Sequence, residues 1–407
     1  MSVAIIGGGP AGLMAAEIVS AAGIPVRIYD RMPNVGRKFL LAGRGGLNLT
    51  HSEDFESFVS RYGAATQFLR PILEAFPPAA LIAWAHGLGQ ETFVGTSGRV
   101  FPKAMKASPL LRAWLARLRT QGVSFHLRHK WRGWDESGAL MFRNESGIAK
   151  VHADAVVLAL GGASWPKLGS DGGWVDILRA KGVAVNTLEP ANCGFTVKWS
   201  AIFRDRFAGQ PLKNVSLSIG GRTVRGECLV TDYGIEGGAI YALSAQLREM
   251  IAATGSAVLT IDLRPDIPVS QLQQKLERPR GKESLTNFLR KALNLSPLEI
   301  NLLREAHGMN LGSDTERLAR NLKSVPLTLT KPQGLARAIS TAGGIAFSAL
   351  DENLMLRTLP GIFAGGEMLD FEAPTGGYLL QGAFATGVCA GRGALQFLQN
   401  RAQGTGS

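Results

Sequence analysis

The chain has 407 residues, 45% hydrophobic and 19% charged, with 44 Lys and Arg against 32 Asp and Glu for a net charge of +12. That apolar content offsets the entropy of ordering the backbone, which excludes wholesale disorder, and the length predicts two or three domains. No apolar run reaches the ~20 residues that span a bilayer, while the basic excess favours acidic partners: phosphate-rich ligands, nucleic acid or an anionic surface.

Val3 to Ile6 reads as a buried strand at the start, with no basic leader segment, so a cytoplasmic location is expected. Gly7-Gly8-Gly9-Pro10-Ala11-Gly12 follows, then a helix with Leu13, Met14, Ile18 and Val19 at helical spacing, and a second strand from Pro25 to Tyr29. This is G-x-G-x-x-G between a strand and a helix, the context that dinucleotide binding requires. Gly7 permits the tight turn, Gly9 lets backbone approach a pyrophosphate, and Gly12 lets helix and strand pack closely. Asp30, ending the second strand, is placed to accept a hydrogen bond from a ribose hydroxyl.

Residues 67–88 and 104–121 have helical character, and Val123 to Leu127 and Ala139 to Phe142 resemble strands. Ala153 to Leu160 is a continuous apolar strand ending at Gly161-Gly162, expected to rejoin the parallel sheet. From about Pro190 the texture changes to antiparallel strands at Phe195 to Val197, Val215 to Ile219, Thr223 to Val230 and Ala257 to Leu263, which predicts a barrel or sandwich. Residues 270–322 are amphipathic and helical. From about Leu327 the chain returns to strand and glycine-rich turn, with Gly361 to Ala364 as another parallel strand. The glycine turns Gly361 to Glu367 and Thr375-Gly376-Gly377-Tyr378 then precede a helix over Leu380 to Leu398. Two such turns far from the first fingerprint suit a long, two-ended cofactor, and the helix N-terminus suits negative charge on a flavin ring.

The expected organisation is a discontinuous nucleotide-binding domain, 1–190 and 330–407, a β-barrel-like insert, 191–265, and its helical part, 266–329. Cys193, Cys228 and Cys389 stand too far apart for a disulfide framework or CxxC pair and read as buried small hydrophobes. His86, His126, His129, His152 and His307 have no metal-ligand spacing, so no metal is expected. Basic residues crowd Arg112 to Arg132, Lys198 to Arg225 and Arg278 to Lys291, either as a solvated face or as a nucleic-acid surface.

Longer stretches carry a family resemblance: Gly36-Arg37-Lys38-Phe39-Leu40-Leu41-Ala42-Gly43-Arg44-Gly45-Gly46-Leu47-Asn48-Leu49-Thr50-His51, Gly98 to Pro102, Gly161 to Pro166, Asp232 to Ile240, and Gly365 to Asp370 running into Gly376 to Gln381. Nearly end to end, the sequence resembles the HI0933-like FAD-dependent flavoproteins, distant kin of the glutathione-reductase type. The resemblance implies a Rossmann-like FAD-binding α/β domain interrupted by a β-barrel plus helical insert. It places the pyrophosphate at Gly7, Gly9, Pro10, Ala11 and Gly12, the adenosine ribose at Asp30, the adenine beside Lys130 or Trp131, and Lys38 and Asn48 near the flavin. Gly366, Glu367, Leu379, Leu380 and Gln381 close the site, and Arg31, Arg37, Gly161, Gly162, Gly376 and Gly377, in or beside the same stretches, complete the expected cofactor contacts. Leu47 stands where the family carries Cys, and Leu379 where it carries Asn, which marks a divergent subgroup without that thiol.

What the family implies is an oxidoreductase with non-covalent FAD that consumes NAD(P)H. Hydride from flavin N5 reduces a C=C bond conjugated to a carbonyl in a small molecule, or else in a uridine of ribosomal RNA. No second fingerprint is present, so NAD(P)H would dock transiently. Tyr378, His51 and Tyr233 are the candidate proton donors, each by position in a family stretch. A flavin-binding regulator without turnover is the third alternative, and the oligomeric state is left open.

Overall fold

The computed structural model describes residues 1–43, 45–309, 311–312 and 314–404; Arg44 of the glycine-rich stretch and residues 405–407 of the expected C-terminal segment lie outside the described residues. The chain divides into two units, Met1–Glu189 with Ile339–Ser407, and Pro190–Ala338.

In the first unit a five-stranded sheet runs in the order Ile362–Ala364, Ala155–Leu158, Val3–Ile6, Val26–Tyr29, Ser124–His126. Every pairing is parallel, with Val3 beside both Val26 and Ala155. Val3–Ile6 and Ala155–Leu158 are buried on both faces, as continuous apolar runs in a covered parallel sheet must be. The central strand Val3–Ile6 is joined to its neighbours on opposite sides by different parts of the chain, and a crevice opens beyond the carboxyl ends of such strands. The Gly7 turn leaves the sheet there.

The first helix, Pro10–Ala21, starts with extended Gly9 at the N-cap and Pro at N1, where the missing N–H costs nothing. The C-terminal helix, Tyr378–Gly404, packs along it. The approach depends on glycine: a Cβ at Gly387 would lie 2.4 Å from the Ala11 carbonyl oxygen, and one at Gly391 would lie 3.0 Å from Ile18 Cβ. Glu17 is buried on the first helix. Its Oε2 accepts from Trp114 Nε1 at 2.6 Å and Trp84 Nε1 at 3.1 Å, and its Oε1 from Arg117 at 2.8 Å. One carboxylate thereby ties the first helix to the helices Pro78–Gly87 and Ala107–Thr120.

The expected helix over 67–88 is two helices, Thr66–Ala75 and Pro78–Gly87. Pro77 and Pro78 lack the N–H groups to continue the first and instead begin the second. Val185–Ala191 is a strand the sequence reading passed over.

In the second unit the strands Phe195–Val197, Gly234–Glu236, Arg222–Val230, Pro211–Ile219, Ala257–Asp262 and Val325–Pro332 close a barrel in that order. Val325, Leu327 and Leu329 alternate inward along the last strand, which pairs with both Ala257–Asp262 and Phe195–Val197. The helices Val269–Leu276, Leu285–Leu293, Pro297–His307 and Thr315–Lys323 belong to this unit. Ser296 and Glu299 form a reciprocal capping box, and Asp314 caps the last of these helices. Among the described residues no helix is long and apolar enough to cross a membrane.

Replacing Glu17 with Leu leaves the buried Trp114 N–H without an acceptor, so Glu17→Leu is expected to lower unfolding stability by roughly 2–3 kcal/mol. Urea unfolding measures this, and an unchanged midpoint would show that the carboxylate contributes nothing to the fold.

Candidate functional site

A cavity of about 550 Å³ opens in the first unit at the carboxyl ends of the central strands. Gly7, Gly9, Pro10 and Ala11 form its floor. Gly7 adopts φ +109°, and a Cβ there would lie 2.1 Å from the Ala159 carbonyl oxygen, so only glycine fits. A Cβ at Gly12 would meet the Gly7 carbonyl at 2.0 Å, which is why this glycine packs helix on strand and does not line the cavity. Gly9 differs: its φ is −85° and nothing lies within 4 Å of its Cβ position. The N–H groups in the first turn of a helix have no intrahelical acceptor, so the open face at Gly9 presents donors and the positive end of the helix dipole.

Asp30 lines the cavity beside this turn. Its Oδ2 accepts from Gly8 N at 2.9 Å and its Oδ1 from Met32 N at 2.7 Å. Burial pushes the carboxyl above its ordinary range, against the pull of those two N–H groups and of Arg31 and Arg37. Asp30 therefore holds the glycine turn as well as facing the cavity. At the same end Arg31 pairs with Asp171 and donates to the Pro166 carbonyl at 2.7 Å, and Lys130 Nζ stands 3.9 Å from Asp171. Lys130, Trp131 and Gly161 line this part of the wall, whereas Gly162 is turned toward the Thr341 hydroxyl.

Arg37, Lys38, Asn48, Gly366 and Glu367 also line the cavity. Lys38 Nζ donates to Ser164 Oγ and to Glu367 Oε2, each at 2.5 Å, and Glu367 Oε1 accepts from Thr341 N at 3.0 Å. The Thr341 hydroxyl in turn accepts from the N–H groups of Ala163 and Ser164. Gly376, Gly377, Leu379 and Leu380 bring the N-terminus of the C-terminal helix to the wall. Gly377, at φ +92°, passes so close to Thr50 that a Cβ would lie 2.6 Å from Thr50 Cα.

Gln381, Tyr378, His51 and Tyr233, all expected at the site, are not among the residues that line the cavity. Gln381 is fully buried and does not line the cavity; its amide joins Thr50 Oγ1 at 2.9 Å to the Phe76 carbonyl at 2.7 Å. Tyr378 also lies behind the wall, donating to Glu53 Oε1 at 2.6 Å, and burial together with Glu53 pushes its phenol well above the ordinary range. His51 stacks on Tyr378 with ring centroids 5.5 Å apart and does not line the cavity. Its Nδ1 accepts from Glu53 N at 3.2 Å, which assigns the proton to Nε2, 3.0 Å from the Ser97 carbonyl. The two side chains pack together behind the wall, at the start of the C-terminal helix. Tyr233 belongs to the Pro190–Ala338 unit, where it donates to Glu236 and burial pushes its phenol up. Leu47 is fully buried and also absent from the cavity wall.

Among the described residues, four buried polar atoms on cavity-lining side chains have no hydrogen-bond partner: Arg37 Nε, Asn48 Oδ1, Trp131 Nε1 and Ser170 Oγ. Buried polar groups are seldom left unmatched, and these belong to four separate stretches of the chain. Donors, acceptors and an open glycine in one cavity fit a cofactor that carries several polar groups and a diphosphate. Among the described residues no His, Cys, Asp and Glu cluster could hold a metal ion.

The model of the HI0933-like protein Rossmann domain matches residues 1–393. A 3-dehydro-bile acid delta(4,6)-reductase of Clostridium scindens is 28% identical over 97% of this chain and 99% of its own length. A ribosomal RNA dihydrouridine synthase of Escherichia coli is 24% identical over 94% and 95%. Among solved structures, a 3-ketosteroid-delta4-(5alpha)-dehydrogenase of Rhodococcus jostii superposes with a TM-score of 0.53 at 16% identity, covering 97% of this chain and 96% of that one, which is a likeness of fold. The chain belongs to the HI0933-like family, with a Rossmann-type FAD-binding fold, and is an FAD-dependent oxidoreductase.

Proposed function

We propose that the protein holds FAD non-covalently along this cavity and reduces a C=C bond conjugated to a carbonyl in a small molecule, with NAD(P)H as a reductant that docks transiently. The observation that carries the reading is one continuous cavity walled by two helix N-termini, at Gly9 to Ala11 and at Gly377 to Leu380. Helix N-termini favour anions. The first suits the pyrophosphate. The second suits an isoalloxazine that gains negative charge on reduction. Asp30 would take the ribose, Trp131 and Ser170 the adenine side, and Arg37, Lys38, Asn48 and Glu367 the flavin side.

FAD, when bound, supplies hydride transfer, and the chain's own part is to orient, exclude water and place charge. Reduction of the alkene consumes one hydride and one proton, and NAD(P)H restores the hydride. The name of the Clostridium scindens relative, a reductase of a 3-dehydro bile acid, supports this substrate class. The basic composition and the Escherichia coli relative favour reduction of a uridine in RNA as the second reading. Its mark would be binding that weakens steeply as salt rises.

Two outcomes are expected. Gly9→Glu should fold, because the position has ordinary φ and open space, yet bind FAD about a hundredfold more weakly, its unpaired carboxylate facing the diphosphate. Stoichiometric flavin in that folded variant would remove the site from consideration. Anaerobic addition of NADH and then NADPH to the flavin-loaded protein should bleach its visible bands with at least one of them; bands that survive both would count against a nicotinamide reductant.

A further inference from the structure

We infer that Lys38 and Glu367 form an opposed pair that sets the reduction potential of the cofactor, the ammonium raising it and the carboxylate restraining it; this rests on the reading that FAD occupies the cavity. Lys38 has three N–H bonds. Ser164 Oγ and Glu367 Oε2 take two of them at 2.5 Å each, and among the described residues the third has no partner on a side chain that lines the cavity. Both oxygens of Glu367 are engaged, one by Lys38 and one by Thr341 N–H. The Thr341 hydroxyl also fixes the backbone that carries Ser164.

A salt bridge on a protein surface needs no such scaffolding and contributes little. Here the two side chains are 29% and 17% exposed, and both stand on the wall beside Gly366 and the start of the C-terminal helix. In that partly desolvated setting a fixed charge acts more strongly on a neighbouring change of charge than it would in water.

The redox step determines the sign. Two electrons with one proton leave the bound cofactor one negative charge richer, whereas two electrons with two protons leave its charge unchanged. In the first case a cation held at the wall favours the reduced form and an anion opposes it. The electrons come from the nicotinamide or, in the test, from dithionite, and the proton comes from solvent.

Anaerobic potentiometric titration with dithionite reads the potential without any turnover. Lys38→Met should make reduction about tenfold harder, a fall of about 30 mV for a two-electron couple. Glu367→Gln should move the potential in the opposite direction by a similar factor, and Lys38→Arg, which keeps the charge, should stay near the parent value. A Lys38→Met protein with stoichiometric FAD at the parent potential would overturn the inference, as would shifts of the same sign in Lys38→Met and Glu367→Gln. If Lys38→Met fails to retain the cofactor, Glu367→Gln decides alone: a raised potential supports the pair and an unchanged one refutes it. A parent protein that binds no FAD would instead defeat the reading of the cavity.

Discussion

The close crossing of the first and C-terminal helices is the contact on which the site depends. Ala11, Ala15 and Ile18 on one helix face Gly387 and Gly391 on the other, so backbone meets backbone where larger side chains would force the axes apart. Gly366 completes the junction, since a Cβ there would lie 2.8 Å from Ala11 Cβ. Helix starts far apart in the chain, at Pro10 and Tyr378, are thereby brought to a single cavity, each presenting the donor end of a helix. A side chain at Gly387 would reach the Ala11 carbonyl, next to the Gly9 opening, and so disturb packing and site together.

The charges around the cavity follow a consistent arrangement. Positive ends of helices, Arg37 and Lys38 face inward, and the three acids that share the wall, Asp30, Asp171 and Glu367, are each occupied by the protein's own donors. Asp30 is drawn to the glycine turn by Gly8 N–H, so its carboxylate is held by the protein's own backbone. Behind the second helix start, Glu53 binds Tyr378 and Arg61; burial opposes its ionisation, but those hydrogen bonds hold its carboxyl below the ordinary range. The cavity wall therefore has a braced layer behind it.

What could be read in the sequence divides along the same line. The fold class and the Gly7–Gly12 turn were legible because their constraints are local: a positive φ at Gly7, Gly12 against Gly7, a strand before and a helix after. The barrel strands showed themselves by alternation and turns, as at Val325, Leu327 and Leu329. The partners of Tyr378, His51 and Gln381, namely Glu53, Ser97, Thr50 and Phe76, were not legible, because tertiary packing sets them and they carry no signal at the residues themselves. Ser164 and Thr341 were not singled out for the same reason: a hydroxyl, even one inside the Gly161 to Pro166 stretch, gains meaning only when the fold sets it beside Lys38 or the Ser164 backbone.

The central claim is that one molecule of FAD engages both helix N-termini at once. Amide hydrogen exchange of the flavin-free and flavin-loaded protein tests it directly. The account predicts slowed exchange on loading at both Gly8 to Gly12 and Gly377 to Leu380. Protection confined to one of the two segments would contradict it.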